Sequence, residues 1–185
     1  VDVNQPGHFL PSPPNVWDCY LSHPQSIRRL RQRLLGTIKT VTTDQKTFIY
    51  IRRDGNIRAF MDPQETLLKR LQKWTDKNAM SLDVFDGKID FSEQIKLFST
   101  ATIIFGIHGA GLTNLIFSPA ECITVEIPIH NNTNQLFQEL SGMLEREHHV
   151  CQLSCDYQGS LTITETSLTS IEAELDFVVN KRRNK

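Results

Sequence analysis

His108, followed at once by Gly109-Ala110-Gly111, is the group in this chain best suited to chemistry. An imidazole can donate to an anion or move a proton near neutral pH. Small residues beside it let a ligand come close to the backbone. Arg52, Arg53 and Arg58 add planar guanidinium donors that match phosphate oxygens in pairs, while Asp86 and Glu126 add acceptors. This inventory predicts a crevice for a phosphate-bearing ligand, such as a sugar nucleotide with a diphosphate. Arg53, Arg58 and His108 neutralise the phosphates, and Glu126 either accepts hydrogen bonds from a ribose or forms a salt bridge. His108 faces the ligand or caps its own turn. Of Arg52 and Arg53, one is expected to reach the site and the other to face solvent.

The elements that must position these residues are written in the apolar pattern. Ile103-Ile104-Phe105 is a short, continuously apolar run suited to a buried parallel strand, and Gly106, Gly109 and Gly111 end it. A helix starting near Gly109 or Ala110 would aim its first free N–H groups and its positive dipole end into the crevice. The dipole supplies only about 0.3–1 kcal/mol, against roughly 8 kcal/mol for a micromolar ligand. Charged side chains must therefore hold most of the ligand.

Around this unit, Phe48 to Ile51 read as a first strand, and Leu67, Leu68, Leu71 and Trp74 follow at helical spacing. Leu82, Val84 and Phe85 form a second strand, with a helix through Phe91, Ile95 and Phe98. Ile123, Val125 and Ile127 make a fourth strand, and Leu136, Phe137, Leu140, Met143 and Leu144 an amphipathic helix. A fifth strand is expected over His149 to Leu153, and a closing helix through Ile171, Leu175, Val178 and Val179. Alternating strands and helices predict an α/β fold, a parallel sheet with helices on both faces. Ligands of such sheets bind outside the carboxyl ends of the strands, where Arg52, Arg53, Asp86, His108 and Glu126 emerge.

Residues 1–46 read as a connector and partial preceding region with a basic helix from Pro24 to Leu35, whose Arg28, Arg29, Arg31 and Arg33 form a solvated face. Residues 47–180 form the Rossmann-like domain, and 181–185 a basic tail. The 185 residues carry 39% hydrophobic residues and a formal charge of -1, which argues against a nucleic-acid binder driven by a basic surface. The chain opens on Val1 without a leader, so it is read as a fragment whose membrane anchor, if any, lies outside it.

Several chemistries lack their motifs. The glycine pattern is G-x-x-G-x-G, not the dinucleotide fingerprint, and no Walker loop is present. His-Gly-Ala-Gly suits the oxyanion loop of a hydrolase, but no G-x-S-x-G elbow accompanies it. Cys151 and Cys155 near His148 and His149 invite a metal reading, yet no second ligand pair has matching spacing. No metal or other cofactor is expected. Asn131-Asn132-Thr133 is a glycosylation sequon.

The segment from Phe48 to Pro128 closely resembles family 61 glycosyltransferases, xylosyl- and N-acetylglucosaminyltransferases of the secretory pathway. The resemblance rests on Arg53, Arg58, the Gln94-bearing helix, the His108-Gly109-Ala110-Gly111-Leu112-Thr113-Asn114 segment and Glu126 at a strand end. Where the family shows Asn-Glu, this chain has Asp62-Pro63. The resemblance implies the donor-binding lobe of a two-domain, GT-B-like enzyme that moves xylose or N-acetylglucosamine from a UDP-sugar to a protein or glycan acceptor, with inversion. It implies donor contacts from Arg53, Arg58, His108 through Asn114, and Glu126, with leaving-group stabilisation by His108 and Arg53 and no identified catalytic base. It also implies the Golgi or endoplasmic reticulum lumen, with the fragment alone inactive. There is no Asp-x-Asp motif, so metal dependence is not implied. Asp62-Pro63 motivates the alternative of a degenerate nucleotide-binding module without transferase activity.

Overall fold

A computed structural model describes residues 23–36, 45–53, 55, 59–62, 65–128, 135–153 and 160–183. In chain order the elements are α1 (Pro24–Gly36), β1 (Lys46–Ile51), β2 (Phe60–Met61), α2 (Thr66–Lys77), β3 (Met80–Phe85), α3 (Phe91–Ser99) and β4 (Ala101–Ile107). A 3-10 helix (Ala110–Phe117) follows, then β5 (Ile123–Ile127), α4 (Leu136–Met143), β6 (Glu147–Val150), β7 (Leu161–Thr162) and α5 (Glu165–Arg183). Five strands form one all-parallel sheet in the order β3-β1-β4-β5-β6. The fold is α/β and Rossmann-like.

Alternation along the strands builds two cores. Phe48 and Tyr50 of β1, Phe105 of β4 and Val125 of β5 face α2 (Leu67, Leu71, Trp74) and α5 (Leu168, Ile171, Leu175, Val178). Ile49, Ile51 and Ile104 face the opposite way, onto Ile95 and Phe98 of α3, Leu112 and Leu115 of the 3-10 helix, and Phe137 and Leu140 of α4. Each fully buried Leu, Ile or Phe contributes roughly 1.5–3 kcal/mol, so both helical layers are needed to cover the sheet.

Helix ends are set by local chemistry. Asp90 accepts from Glu93 N (2.9 Å) and Glu93 accepts back from Asp90 N (3.4 Å), which starts α3 with a capping box. Asp62 accepts from Leu67 N at 2.6 Å and so caps α2, whose preceding residue Glu65 is left-handed at φ 53°. Arg70 binds Glu172 through two 2.9 Å hydrogen bonds, and Trp74 Nε1 donates to Asp176 at 2.8 Å, locking α2 onto α5.

The sequence turns in one direction from β1 to β3 and in the other from α3 to β4, so the order of strands reverses between β1 and β4. Such a reversal opens a crevice at the strands' carboxyl ends, the usual ligand position in doubly wound sheets. The two strands are pressed close there. A Cβ on Gly106 of β4 would lie 3.0 Å from Ile51 Cβ and 3.2 Å from its carbonyl oxygen, a tight fit for which β1 would have to give by a few tenths of an ångström. Gly106→Ala is expected to destabilise the protein by about 1–3 kcal/mol in urea unfolding. An unchanged midpoint would show that β1 and β4 part at no cost.

Three expectations need correction. The fifth strand is Glu147–Val150, not His149 to Leu153, because its partner register runs from Ile123↔Glu147 to Glu126↔Val150. The element after Gly109 is a 3-10 helix, which closes its first bond from Leu112 N to Gly109 O (2.9 Å). The arginines of α1 are not only a solvated face: Arg28 pairs with Glu145 at 2.7 Å, and Arg31 donates to Ser118 O at 3.0 Å. Arg146 converges on the same Ser118 carbonyl and also binds Pro119 O and Leu144 O, so it closes the loop into β5. Burial, aided by the charge of Arg31, lowers the Arg146 pKa to about 10.

Candidate functional site

At the reversal, the ends of β1, β4 and β5 bring the sequence-derived residues into two contacts. In the first, Arg53 lies against Gly109. A Cβ on Gly109 would come within 2.2 Å of Arg53 Nη1, and the backbone there is extended (φ 168°), so glycine serves close approach and not an unusual conformation. Arg53 Nη1 is buried and, among the described residues, has no hydrogen-bond acceptor. Leaving a buried donor unmatched costs about 1–3 kcal/mol, more when the group is charged. An incoming anion would recover that cost. The Ala110 and Gly111 amides precede the first bond of the 3-10 helix and adjoin the same corner.

In the second contact, His108 Nδ1 makes a short hydrogen bond to Glu126 Oε1, both side chains being buried. The other carboxylate oxygen is 2.9 Å from His148 Nε2, close but off the straight line of a hydrogen bond. Burial pushes the Glu126 carboxyl up, but the hydrogen bonds and charges of His108 and His148 outweigh it, and the net direction is down. The carboxylate is therefore ionised at neutral pH and can only accept, which puts a proton on His108 Nδ1. The His108 ring is packed on Phe137, with centroids 4.9 Å apart.

Among the remaining sequence-derived residues, Leu112 is wholly buried in the core and anchors the segment. Asn114 Nδ2 donates to Gly111 O at 3.2 Å and holds the turn. Thr113 and Ala110 are exposed, and Gly111 sits over Ile51, whose Cγ2 would be 2.7 Å from an added Cβ. Arg52 pairs with Glu65 at 3.1 Å, and Asp86 with Lys88 at 3.0 Å. Arg58, the sequon, Cys19 and Cys155 lie outside the described residues. Gln94 bonds Ile89 O within its own turn.

Beside Arg53, a cleft of about 230 Å³ is lined by Tyr50, Arg52, Arg53, Phe60, Asp62, Glu65 and Leu68. Neither this cleft nor the placement of His148 beside Glu126 is signalled by the sequence pattern. His149 is held by Glu147 and Glu174, and Cys151 is a buried free thiol pushed up to about 12 by burial. Among the described residues no group of His, Cys, Asp and Glu is arranged to hold a metal ion, and no helix is long and apolar enough to cross a membrane.

The fold is that of a doubly wound α/β domain, with Arg53 set against Gly109 at its strand reversal. The sequence pattern of Glycosyltransferase 61 matches residues 12–125, more than half of the chain, and the protein belongs to that family. It is also similar to "Beta-1,2-xylosyltransferase RCN11" of Oryza sativa subsp. japonica, with 22% identity over 109 residues, 57% of this chain. The chain spans 20% of that relative's length.

Proposed function

We propose that this chain forms the donor-binding lobe of a glycosyltransferase that moves a sugar, xylose or N-acetylglucosamine, from a UDP-sugar to a protein or glycan acceptor in the secretory pathway. The observation that carries this reading is the buried Arg53 Nη1 with no acceptor among the described residues, set against Gly109 at the strand reversal. Family membership supports sugar transfer as the chemistry.

In this reading the diphosphate lies across Gly109, with Arg53 on one side and the Ala110 and Gly111 amides on the other. As the bond from the anomeric carbon to the diphosphate oxygen breaks, negative charge grows on that oxygen. Fixed donors aimed at it stabilise the transition state more than the ground state. His108, its ring held by Glu126 and Phe137, donates from Nε2 when protonated. Glu126 thus acts on the donor through His108, both its oxygens already facing imidazoles. The cleft next to Arg53 suits the hydroxyl-rich sugar, with Glu65 as an acceptor and the Tyr50 and Phe60 rings as its apolar side. The base that deprotonates the acceptor, in a GT-B-like arrangement, comes from the facing lobe, and transfer inverts the anomeric centre.

Calorimetric titration with UDP tests the site. Arg53→Ala and His108→Ala are each expected to weaken UDP by about tenfold or more, the scale of a charge-assisted hydrogen bond. Unchanged affinity in both variants would sink the site. The non-enzymatic reading, a module that binds nucleotide without transfer, draws on Asp62, which is occupied in capping α2. Product formed from any UDP-sugar would eliminate it.

A further inference from the structure

Strand alternation puts Thr124 and Glu126 on the α4 side of β5, and the β5–β6 register pairs Thr124 with His148. His148 is thereby brought beside Glu126, with its side chain 3% exposed. Its Nδ1 is 3.0 Å from Ser141 Oγ, and Ser141 is itself buried on α4. The result is a continuous buried line of polar groups: Ser141, His148, Glu126, His108. Its last member, His108, directly precedes Gly109 at the carboxyl end of β4.

We infer that His148 is a positioning residue for donor binding, which keeps the proton on His108 by keeping Glu126 ionised. The inference rests on the proposed diphosphate site. When a diphosphate approaches, one proton shared between Glu126 and His108 has two places to go. On His108 it makes an imidazolium that faces the phosphate with a full charge. On Glu126 it leaves a neutral imidazole, and the attraction falls. A buried carboxylate with a partner at only one oxygen favours the protonated form, whereas a second N–H at the other oxygen favours the ionised form. His148 sets Nε2 2.9 Å from that second oxygen, off the straight line of a hydrogen bond, so it acts through the positive end of its N–H dipole; Ser141 Oγ lies 3.0 Å from Nδ1, where donation from the hydroxyl would keep the hydrogen on Nε2. Among the described residues, the titratable groups that act on Glu126 are His108 from the end of β4 and His148 from β6.

The test uses the purified protein with UDP as probe, and reads affinity by calorimetry and carboxyl protonation by infrared difference spectroscopy of the complex. His148→Leu is expected to weaken UDP by about tenfold and to bring up the carbonyl band of a protonated carboxyl. His148→Gln, whose amide can still donate to Glu126, restores affinity and removes the band. Ser141→Ala, a milder change that leaves the packing of His148 in place, gives a smaller shift in the same direction. Wild-type affinity in His148→Leu, or weakened binding without the band, overturns the inference. If Arg53→Ala loses UDP while the His148 variants do not respond, the diphosphate site stands and this inference alone falls. If the wild-type protein binds no UDP, both fall.

Discussion

Glu126→Ala is expected to lower the melting temperature by about 6–20 °C. The carboxylate stands buried between two imidazoles, and removing one member of such a buried set costs about 3–5 kcal/mol. For a chain of this size each kcal/mol moves the melting temperature by roughly 2–4 °C. Glu126→Gln keeps the shape and one hydrogen bond but no charge, so its loss is smaller. The pH dependence separates charge from packing. The folded Glu126 pKa is lowered below its ordinary 4.5, so its ionic contribution is present above about pH 4.5 and is lost as the pH falls through the folded value. The stability gap between wild type and Glu126→Gln should therefore narrow in acid. Calorimetric melts from neutral pH downward check this, and a gap that stays constant would remove the ion pair from the account.

Gly109→Ala is expected to behave in the opposite way, with melting nearly unchanged and UDP binding reduced by about tenfold to a hundredfold. The backbone at Gly109 is extended, so alanine brings no conformational strain. Its methyl group would meet only the far end of Arg53, at 2.2 Å, and a flexible guanidinium can move aside. The movement takes Arg53 out of the place where a diphosphate would meet it. A UDP titration beside a thermal melt reads both effects. Retained affinity would show that Arg53 holds no phosphate at that corner.

The contrast with Gly106 shows how much of the site was legible from residue types alone. The strand through Ile103, Ile104 and Phe105 was legible because three adjacent apolar residues have no other use in a short run before glycines. The Gly109 to Asn114 segment was legible as a turn into a short helix at the end of that strand. Residue types did not reveal that Gly106 and Gly111 serve packing against Ile51, while Gly109 serves Arg53, since that depends on which strand lies alongside. β6 was displaced in the reading because Glu147, His148 and His149 carry no apolar signal, and Val150, Cys151 and Leu153 drew the strand toward themselves. In sequence His148 stands out only beside the nearby cysteines, as half of a metal pattern that lacks its second ligand pair. Its actual partner, Glu126, is far in sequence, and the signal that could have found it is the shared parity of residues 124, 126 and 148 on neighbouring parallel strands. β2 and β7, two residues each, are too short to show any period.

Those two short strands bear on how the wall of the cleft is closed. Phe60 and Met61 leave the cleft's edge to pair with Leu161 and Thr162, through Leu161 N to Ala59 O (3.0 Å) and Ile163 N to Met61 O (3.3 Å). The α2–α5 bonds that brace this corner join residues 102 positions apart. The glycine segment, β1 and β4 all lie before residue 118, whereas the strand that pairs with Phe60 comes only at Leu161–Thr162. The wall of the cleft beside Arg53 therefore rests on contacts of high sequence separation, whose closure costs more entropy than local ones. Small lesions in α5 should be felt at the pocket edge while the glycine turn stays intact.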